Sequence, residues 1–401
     1  MSSQSTASLL RSMPIWPLAA TLAVQTLATM ALYSLPTVAP EVARDLHVNG
    51  TLVGSFVATA YGVGVLSALV APGMVRRYGG VRATQGVLLA AAGMLALAAF
   101  GSGVTGLALA AVVLGIGYGA AAPASTHLLV PQTPKPVFNL VMSLRQIGVP
   151  LGGVLAALIL PPLVLAIGWR AALLAELGPV LLLIVLMEFP RKRWDSDREP
   201  TRRVFGRTLL QPFALLRDSR FRRLSAAAFI YAGLALCLVA FMTVQLTTVV
   251  GLNLVEAGQI LAAYQISGSI SRPIWGWIAD RFLTPAQTLA VHGIGMAVAT
   301  FVTGLYGPGW PVWAVMANAL LAGCTAGGYT GIAYAEYAAL GGVRRTEATG
   351  LGTAIMFAGG MAVPPIFGVA VTALGGYRGS YMIGAMCALA SGLLLALPRR
   401  R

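Results

Sequence analysis

Four ionisable side chains stand inside long apolar runs: Arg145 in Ser143-Leu144-Arg145-Gln146, Glu176 in the sixth run, Arg272 in Ser269-Ile270-Ser271-Arg272-Pro273, and Glu336 in Tyr334-Ala335-Glu336-Tyr337. A charge at membrane depth costs at least ~2.5–3.5 kcal/mol on insertion scales, so each needs a use. A guanidinium fork matches a carboxylate, which makes Arg145 and Arg272 candidates for holding an organic anion. Each has a competing use. Arg145 has a side chain long enough to snorkel to the interface. Arg272 lies about 12 Å along a helix from Asp280 and competes as its gate partner. Glu336, near the end of its run, reads first as a gate partner for Arg344, Arg345 or Arg145, and second as a protonatable switch. Glu176 is expected to neutralise Arg170 or Arg378.

Polar and aromatic residues supply further candidate lining. Gln25, Thr29 and Tyr33 recur every four residues and so share one helix face. Tyr61, Tyr118, Gln146, Gln245, Tyr264, Gln265, Asn318 and Tyr329 extend the set. Any one of these, taken alone, is more often a packing or interhelical hydrogen-bonding residue than a ligand contact. His127 and His292 have no sequence partner and read as structural. The three cysteines, Cys237, Cys324 and Cys387, sit in apolar surroundings without a CxxC and read as packing residues. Catalytic triads, phosphate loops and metal-ligand spacings are not found, so neither an enzyme nor ATP-driven transport nor a cofactor is expected.

The elements that position these residues are legible in the composition. Of 401 residues, 57 % are hydrophobic and 10 % charged, with mean hydropathy +0.80. These values exclude an ordinary soluble enzyme, a disulfide scaffold and a disordered chain. Apolar stretches run over 16–39, 50–73, 81–101, 104–130, 137–166, 169–189, 224–249, 255–279, 286–306, 310–336, 346–374 and 378–397. Each is long enough to span a bilayer. The start, Met1 to Pro14, carries one Arg and no small-residue cleavage site, so no cleaved leader is expected.

The net charge of +15 sits between these stretches rather than on a nucleic-acid-binding face. Numbering the loops alternately, the side holding both termini carries 22 basic residues and the other side 3. The positive-inside rule then puts both termini in the cytoplasm. Residues 190–223 form the longest hydrophilic segment, rich in Arg. They read as a cytoplasmic linker touching anionic lipid, with a lesser option of a surface helix near Val204–Leu216 presenting Phe205, Leu209, Phe213 and Leu216. The expected units are a bundle over 1–189, the linker over 190–223 and a bundle over 224–401.

The halves echo each other. Arg76-Arg77-Tyr78 and Asp280-Arg281-Phe282 follow the second and eighth spans at an offset of 204; Gly168-Trp169-Arg170 and Gly376-Tyr377-Arg378 follow the fifth and eleventh at 208. Gly276-Trp277-Ile278-Ala279-Asp280-Arg281 resembles the G-x-L-A-D-R loop motif of the major facilitator superfamily. Gly148-Val149-Pro150-Leu151-Gly152-Gly153 resembles its fifth-helix Gly/Pro motif, with Gly359-Gly360 to Pro364-Pro365 and Gly368 as the eleventh-span counterpart. The resemblance covers essentially the whole chain. It implies an all-α membrane protein of twelve transmembrane helices in two pseudo-symmetric six-helix bundles, working by alternating access. It also implies gating roles for Arg76, Arg77, Asp280 and Arg281, beside the gate reading that Glu336 has from its place near a helix end. Arg76 stands where the first-half motif has its Asp, so that lock must be one-sided or rebuilt.

Arg272-Pro273 resembles the eighth-helix Arg-Pro of monocarboxylate transporters, in which the Arg binds the substrate carboxylate. Gly268 stands where that family has an Asp. The resemblance therefore points to a small organic anion, a carboxylate, moved across a bacterial inner membrane by a monomer, with protons as the coupling ion and no nucleic-acid partner. A proton-driven exporter of drugs, siderophores or other metabolites is the alternative; Ala111 occupies the place of the fourth-span Arg of many drug/proton antiporters.

Overall fold

The computed structural model describes residues 13–47, 50–101, 103–205 and 210–396, and every regular element among them is helical. The spans are α1 (Ile15–Thr37), α2 (Gly50–Tyr78), α3 (Gly80–Phe100), α4 (Gly103–Gln132), α5 (Lys135–Ile167), α6 (Trp169–Leu186), α7 (Ser219–Val250), α8 (Leu254–Arg281), α9 (Pro285–Gly304), α10 (312–341), α11 (Arg345–Ala373) and α12 (Tyr377–Ala396). Each expected apolar stretch becomes one of them. Large apolar side chains such as Leu158, Leu165, Leu182, Ile270, Val369 and Met386 point outward, as a lipid-facing surface requires.

Helix ends are set locally. Asn253 with Glu256, and Thr284 with Gln287, form capping boxes at the starts of α8 and α9. Asp218 accepts from the Arg220 and Phe221 N–H groups to start α7. The chain enters α3 at Gly79 with φ of 100°, where a Cβ would lie 2.2 Å from Cγ of Asp195. Small residues let backbones touch: a Cβ on Gly119 would meet the Gly64 carbonyl at 2.2 Å, and one on Gly152 the Thr26 carbonyl at 2.4 Å.

Two apolar cores form, one built on α1–α6 and one on α7–α12. The second core takes in Leu129, Val137, Val141 and Met142 from the ends of α4 and α5 nearest the linker. The halves are therefore packed together on the linker side.

The linker is more firmly docked than a loose connector. Asp195 accepts from Val81 N at 2.8 Å and Arg82 N at 3.3 Å, two donors left open by the first turn of α3. Its burial holds the carboxyl above the usual range in spite of those bonds. Of the surface helix considered over Val204–Leu216, residues 206–209 lie outside the described residues, and Gln211–Arg217 form a 3-10 turn that Pro212 opens. Leu215 and Leu216 pack on the second core, whereas Phe205 and Phe213 are exposed. Leu209 lies outside the described residues, as do Arg11 and Arg399–Arg401 of the charge count.

Candidate functional site

Between the two halves lies a cavity of about 190 Å³. Arg272 lines it at 7 % exposure, and its partners are all neutral. Its Nε donates to Gly327 O at 2.9 Å and its Nη1 to Gln146 O at 2.5 Å. Gly327 belongs to a π-helical turn, Gly323–Gly327, that interrupts α10. Such turns displace carbonyls from the helical ladder. Here the turn also presents Cys324 O to Ser271 Oγ (3.3 Å) and Trp275 Nε1 (2.9 Å). α8 approaches it so closely that a Cβ on Gly268 would lie 3.0 Å from Gly323 O and 3.2 Å from Gly327 Cα. The backbone of the turn thus fills the place of the Asp expected there by resemblance. No protein acceptor among the described residues engages Arg272 Nη2, and no carboxylate lies within 4.0 Å of the guanidinium.

Arg145 is placed differently from the expectation that it faces the ligand. It is 1 % exposed and sits one layer behind the wall. Its Nη2 donates to Gln25 Oε1 (2.6 Å), Ser125 Oγ (3.0 Å) and Ala121 O (3.1 Å), and its Nη1 to Gln146 Oε1. Gln25 and Gln146 do line the cavity. With its carbonyl held by Arg145, Gln25 turns its amide toward Thr29 Oγ1 (2.9 Å) and the Tyr118 hydroxyl (3.4 Å). The two guanidinium groups meet through one residue, Gln146, which accepts from both. Arg145 does not snorkel; packing and satisfied carbonyls hold it inward.

An aromatic wall completes the cavity. Phe357 stacks on Tyr118 with centroids 5.7 Å apart and meets Tyr61 edge-on at 4.8 Å. Tyr33 and Tyr61 both line the cavity on this side. Tyr264, Gln265, Tyr329 and Tyr334 line the opposite side. Thr29 stands just behind, 3.1 Å from the Tyr118 hydroxyl. Gln245 and Asn318, considered as lining, are elsewhere. Gln245 donates to Thr303 O, and Asn318 to Ala299 O, Thr303 Oγ1 and the Tyr306 hydroxyl. Both amides satisfy α9 at helix crossings. Tyr334, Thr353 and Phe357 line the cavity without having been singled out. Tyr334 follows Thr330 by four residues and was findable by that spacing; Phe357 sits in an apolar run that carries no such mark.

The linker side is closed by two contacts related by the repeat. Asp280 accepts from Asn139 N (3.0 Å), Asn139 Nδ2 (2.8 Å) and Leu140 N (2.9 Å) near the start of α5. It therefore does not pair with Arg272. Arg76, at the matching place in the first half, pairs with Glu347 of α11 at 3.1 Å and Glu199 of the linker at 3.4 Å. Leu140 and Glu347 are themselves 207 apart. The first-half lock is thus rebuilt with Arg at the end of α2 and the carboxylate in the first turn of α11. Arg202 joins it at 3.3 Å from Glu347, and Arg77 donates to the Arg202 carbonyl. Arg281 is exposed beside Asp280. Glu336 lines a separate crevice with Arg220, Arg223 and Gln287.

The two histidines take structural partners, and one other expectation, that for Glu176, is corrected. His127 has partners: Thr346 Oγ1 and Asp197 Oδ2, each at 3.0 Å. His292 bonds Thr288 O and packs on Trp275. Glu176 neutralises neither Arg170 nor Arg378, because Arg170 pairs with Asp45 at the helix end and Glu176 lies inward against Ser34.

A Major Facilitator Superfamily model matches residues 21–341. The chain belongs to that superfamily. Among curated proteins it is similar to the 4-hydroxybenzoate transporter PcaK of Acinetobacter baylyi, 21 % identical over 67 % of this chain and 65 % of that one. It is also similar to human monocarboxylate transporter 11, 29 % identical over 37 % of this chain and 33 % of that protein. The chain spans less than two thirds of the length of either. Among solved structures, the Escherichia coli fucose:proton symporter FucP superposes with a TM-score of 0.74 over 95 % of this chain and 98 % of its own, at 17 % identity. That likeness is one of fold: a multi-pass membrane protein of paired six-helix bundles.

Proposed function

We propose that this superfamily member carries a small organic anion, a carboxylate, across a bacterial inner membrane by alternating access, with protons as the coupling ion. The observation that carries the reading is Arg272. It is a buried guanidinium in a cavity between the halves, with one nitrogen free of protein acceptors and no carboxylate among the described residues to neutralise it. An entering carboxylate supplies the missing charge and an acceptor for Nη2. The stacked wall of Phe357, Tyr118 and Tyr61 favours a flat apolar body behind that carboxylate. The relatives named for 4-hydroxybenzoate and monocarboxylates support the class. The loop charge excess makes the linker side the cytoplasmic one, so the conformation described is closed to the cytoplasm. The two bundles move as the units 1–189 and 224–401, joined by 190–223, and the monomer is the working unit.

The test is binding by the detergent-solubilised protein of benzoate, 4-hydroxybenzoate, lactate, and an amine and a neutral analogue of each. The expected result is thermal stabilisation by the acids alone. Arg272→Ala is expected to weaken binding by roughly 100-fold, the effect of losing a charge-assisted pair of about 3 kcal/mol. Arg272→Lys recovers only part, since a fork is replaced by a point charge. Undiminished acid binding by Arg272→Ala would remove the basis of the reading.

A further inference from the structure

Away from the cavity, α6 carries a carboxyl that the binding site does not use. Glu176 follows Trp169 by seven residues, about 10 Å into the span. It is 5 % exposed. Its partner is Ser34 of α1, whose Oγ lies 2.7 Å from Oε1 and 2.9 Å from Oε2. The same Oγ lies 2.7 Å from Met30 O. Ser34 is 0 % exposed.

Counting hydrogens decides the state of the carboxyl. A serine hydroxyl has one proton. Met30 O and an ionised Glu176 are both acceptors only, so that one proton has two contacts of 2.7 Å to serve, and directing it to Met30 leaves the Glu176 contact bare. Ser34 Oγ and a carboxylate oxygen would then face one another at 2.7 Å with no hydrogen between them, which is repulsive. A second proton resolves the conflict, and only Glu176 has a place for it. The chain runs from the Glu176 carboxyl to Ser34 Oγ, and from Ser34 O–H to Met30 O.

The surroundings agree. No Lys, Arg or His nitrogen among the described residues lies within 4.0 Å of the carboxyl. The charged side chains on the packed elements are engaged elsewhere: Arg170 on α6 with Asp45, Arg82 on α3 with Glu188, and Arg145 on α5 with Gln25 and Gln146. Lys135 of α5 is exposed at its linker end, and the described part of α1 bears no charged side chain. A carboxylate at this depth has no counter-charge among the described residues to offset its desolvation.

We propose that Glu176 is the proton-binding site of the transport cycle, loaded in the linker-closed conformation. This rests on the transport reading above and names its coupling group. The step is a simple dissociation: the carboxyl releases one proton to water when the linker side opens, leaving a carboxylate that must be reprotonated from the opposite side. Two features tie this step to the cavity. Ser34 neighbours Tyr33 on α1, and Tyr33 lines the cavity. The helix α6 breaks at Glu176, between Trp169–Ala175 and Leu177–Leu186, where Pro179 has no N–H to give Ala175 O. Ionisation therefore acts on a helix already hinged at that residue.

Glu176→Gln is the informative variant, because its amide donates to Ser34 as the protonated acid does and the fold is kept. Two measurements are made on the full-length protein. In infrared spectra of the ligand-free protein in lipid at pH 7, the wild type is expected to show a protonated-carboxyl stretch that Glu176→Gln lacks. In proteoliposomes with an imposed pH gradient and labelled 4-hydroxybenzoate, the wild type is expected to accumulate the acid about tenfold per pH unit for one proton per substrate. Glu176→Gln is expected to bind and exchange it normally but to reach only about onefold accumulation. Wild-type accumulation by Glu176→Gln, loss of binding by the folded variant, or absence of the carboxyl stretch would each overturn the proposal. If the wild type binds and moves no carboxylate, the transport reading fails instead, and the infrared band alone decides whether Glu176 holds a proton.

Discussion

Asp280→Asn isolates one of the two locks on the linker side. Asp280 accepts three N–H groups at 2.8–3.0 Å, two from the backbone at the start of α5. Hydrogen bonds to a charged acceptor contribute about 1.5–3 kcal/mol each, neutral ones about 0.5–1.5. Asparagine keeps one carbonyl oxygen for three donors, and its amide repels the third. Asp280 is only partly buried, which moderates the loss. The net weakening is roughly 1.5–3 kcal/mol, or about 10- to 150-fold in the closed-to-open ratio. A linker-open population of ~1 % would rise to between about 10 % and 60 %.

The assay is a spin-label distance between Lys135→Cys on α5 and Phe282→Cys at the end of α8. Both are exposed and face each other across the halves; Cys237, Cys324 and Cys387 are first replaced. The expected result is a second, longer distance whose fraction grows in Asp280→Asn. Affinity for a carboxylate changes by no more than about threefold, since the variant alters populations and not contacts. An unchanged distance distribution in folded Asp280→Asn would refute the reasoning.

Arg145→Gln is expected to weaken carboxylate binding by roughly 10-fold without unfolding the protein, because Gln25 and Gln146 lose the donor that aims them; unchanged affinity in a titration would remove Arg145 from the site. Reversing the first-half lock with Arg76→Glu and Glu347→Arg tests its pairing. Each single change is expected to open the linker side in the distance assay, and the double change to recover about 1–2 kcal/mol of coupling. Additive effects would mean that Glu199 and Arg202, not the Arg76–Glu347 pair, hold the closure.

The spans were legible because lipid imposes one rule on every helix: an apolar run long enough to cross. The cavity was legible in part. Gln25, Thr29 and Tyr33 share a face by spacing, and the two arginines stand out by cost. Gln245 and Asn318 are side-chain amides inside apolar runs, as Gln25 and Gln146 are, yet they serve helix carbonyls at α9. A buried amide at a crossing and one at a cavity wall look alike until the neighbouring helix is placed. Phe357 is a further case: its stacking on Tyr118 is set by the approach of α11 to α2, where a Cβ on Gly64 would lie 2.9 Å from its ring. The linker carries no period at all, so the docking of Asp195, Glu199 and Arg202 had no signal beyond charge.

The inverted lock explains why the linker is docked at all. In the second half, Asp280 meets backbone N–H groups, which are always present at a helix start. That lock needs one charged side chain, with the Asn139 amide adding a third bond. In the first half the matching residue is Arg76, and a helix start repels a cation. The contact works only because Glu347 stands in the first turn of α11, where the helix favours an acidic group. Two arginines, Arg76 and Arg202, then surround one carboxylate, and Glu199 supplies the second negative charge that balances them. The second arginine and the second carboxylate both come from the linker. A lock with that charge reversed is therefore a four-residue network with half its members on the connecting segment, and opening the linker side requires that segment to let go of α11. The two halves close by the same geometry through different chemistry, and only the first-half closure is sensitive to what the linker does.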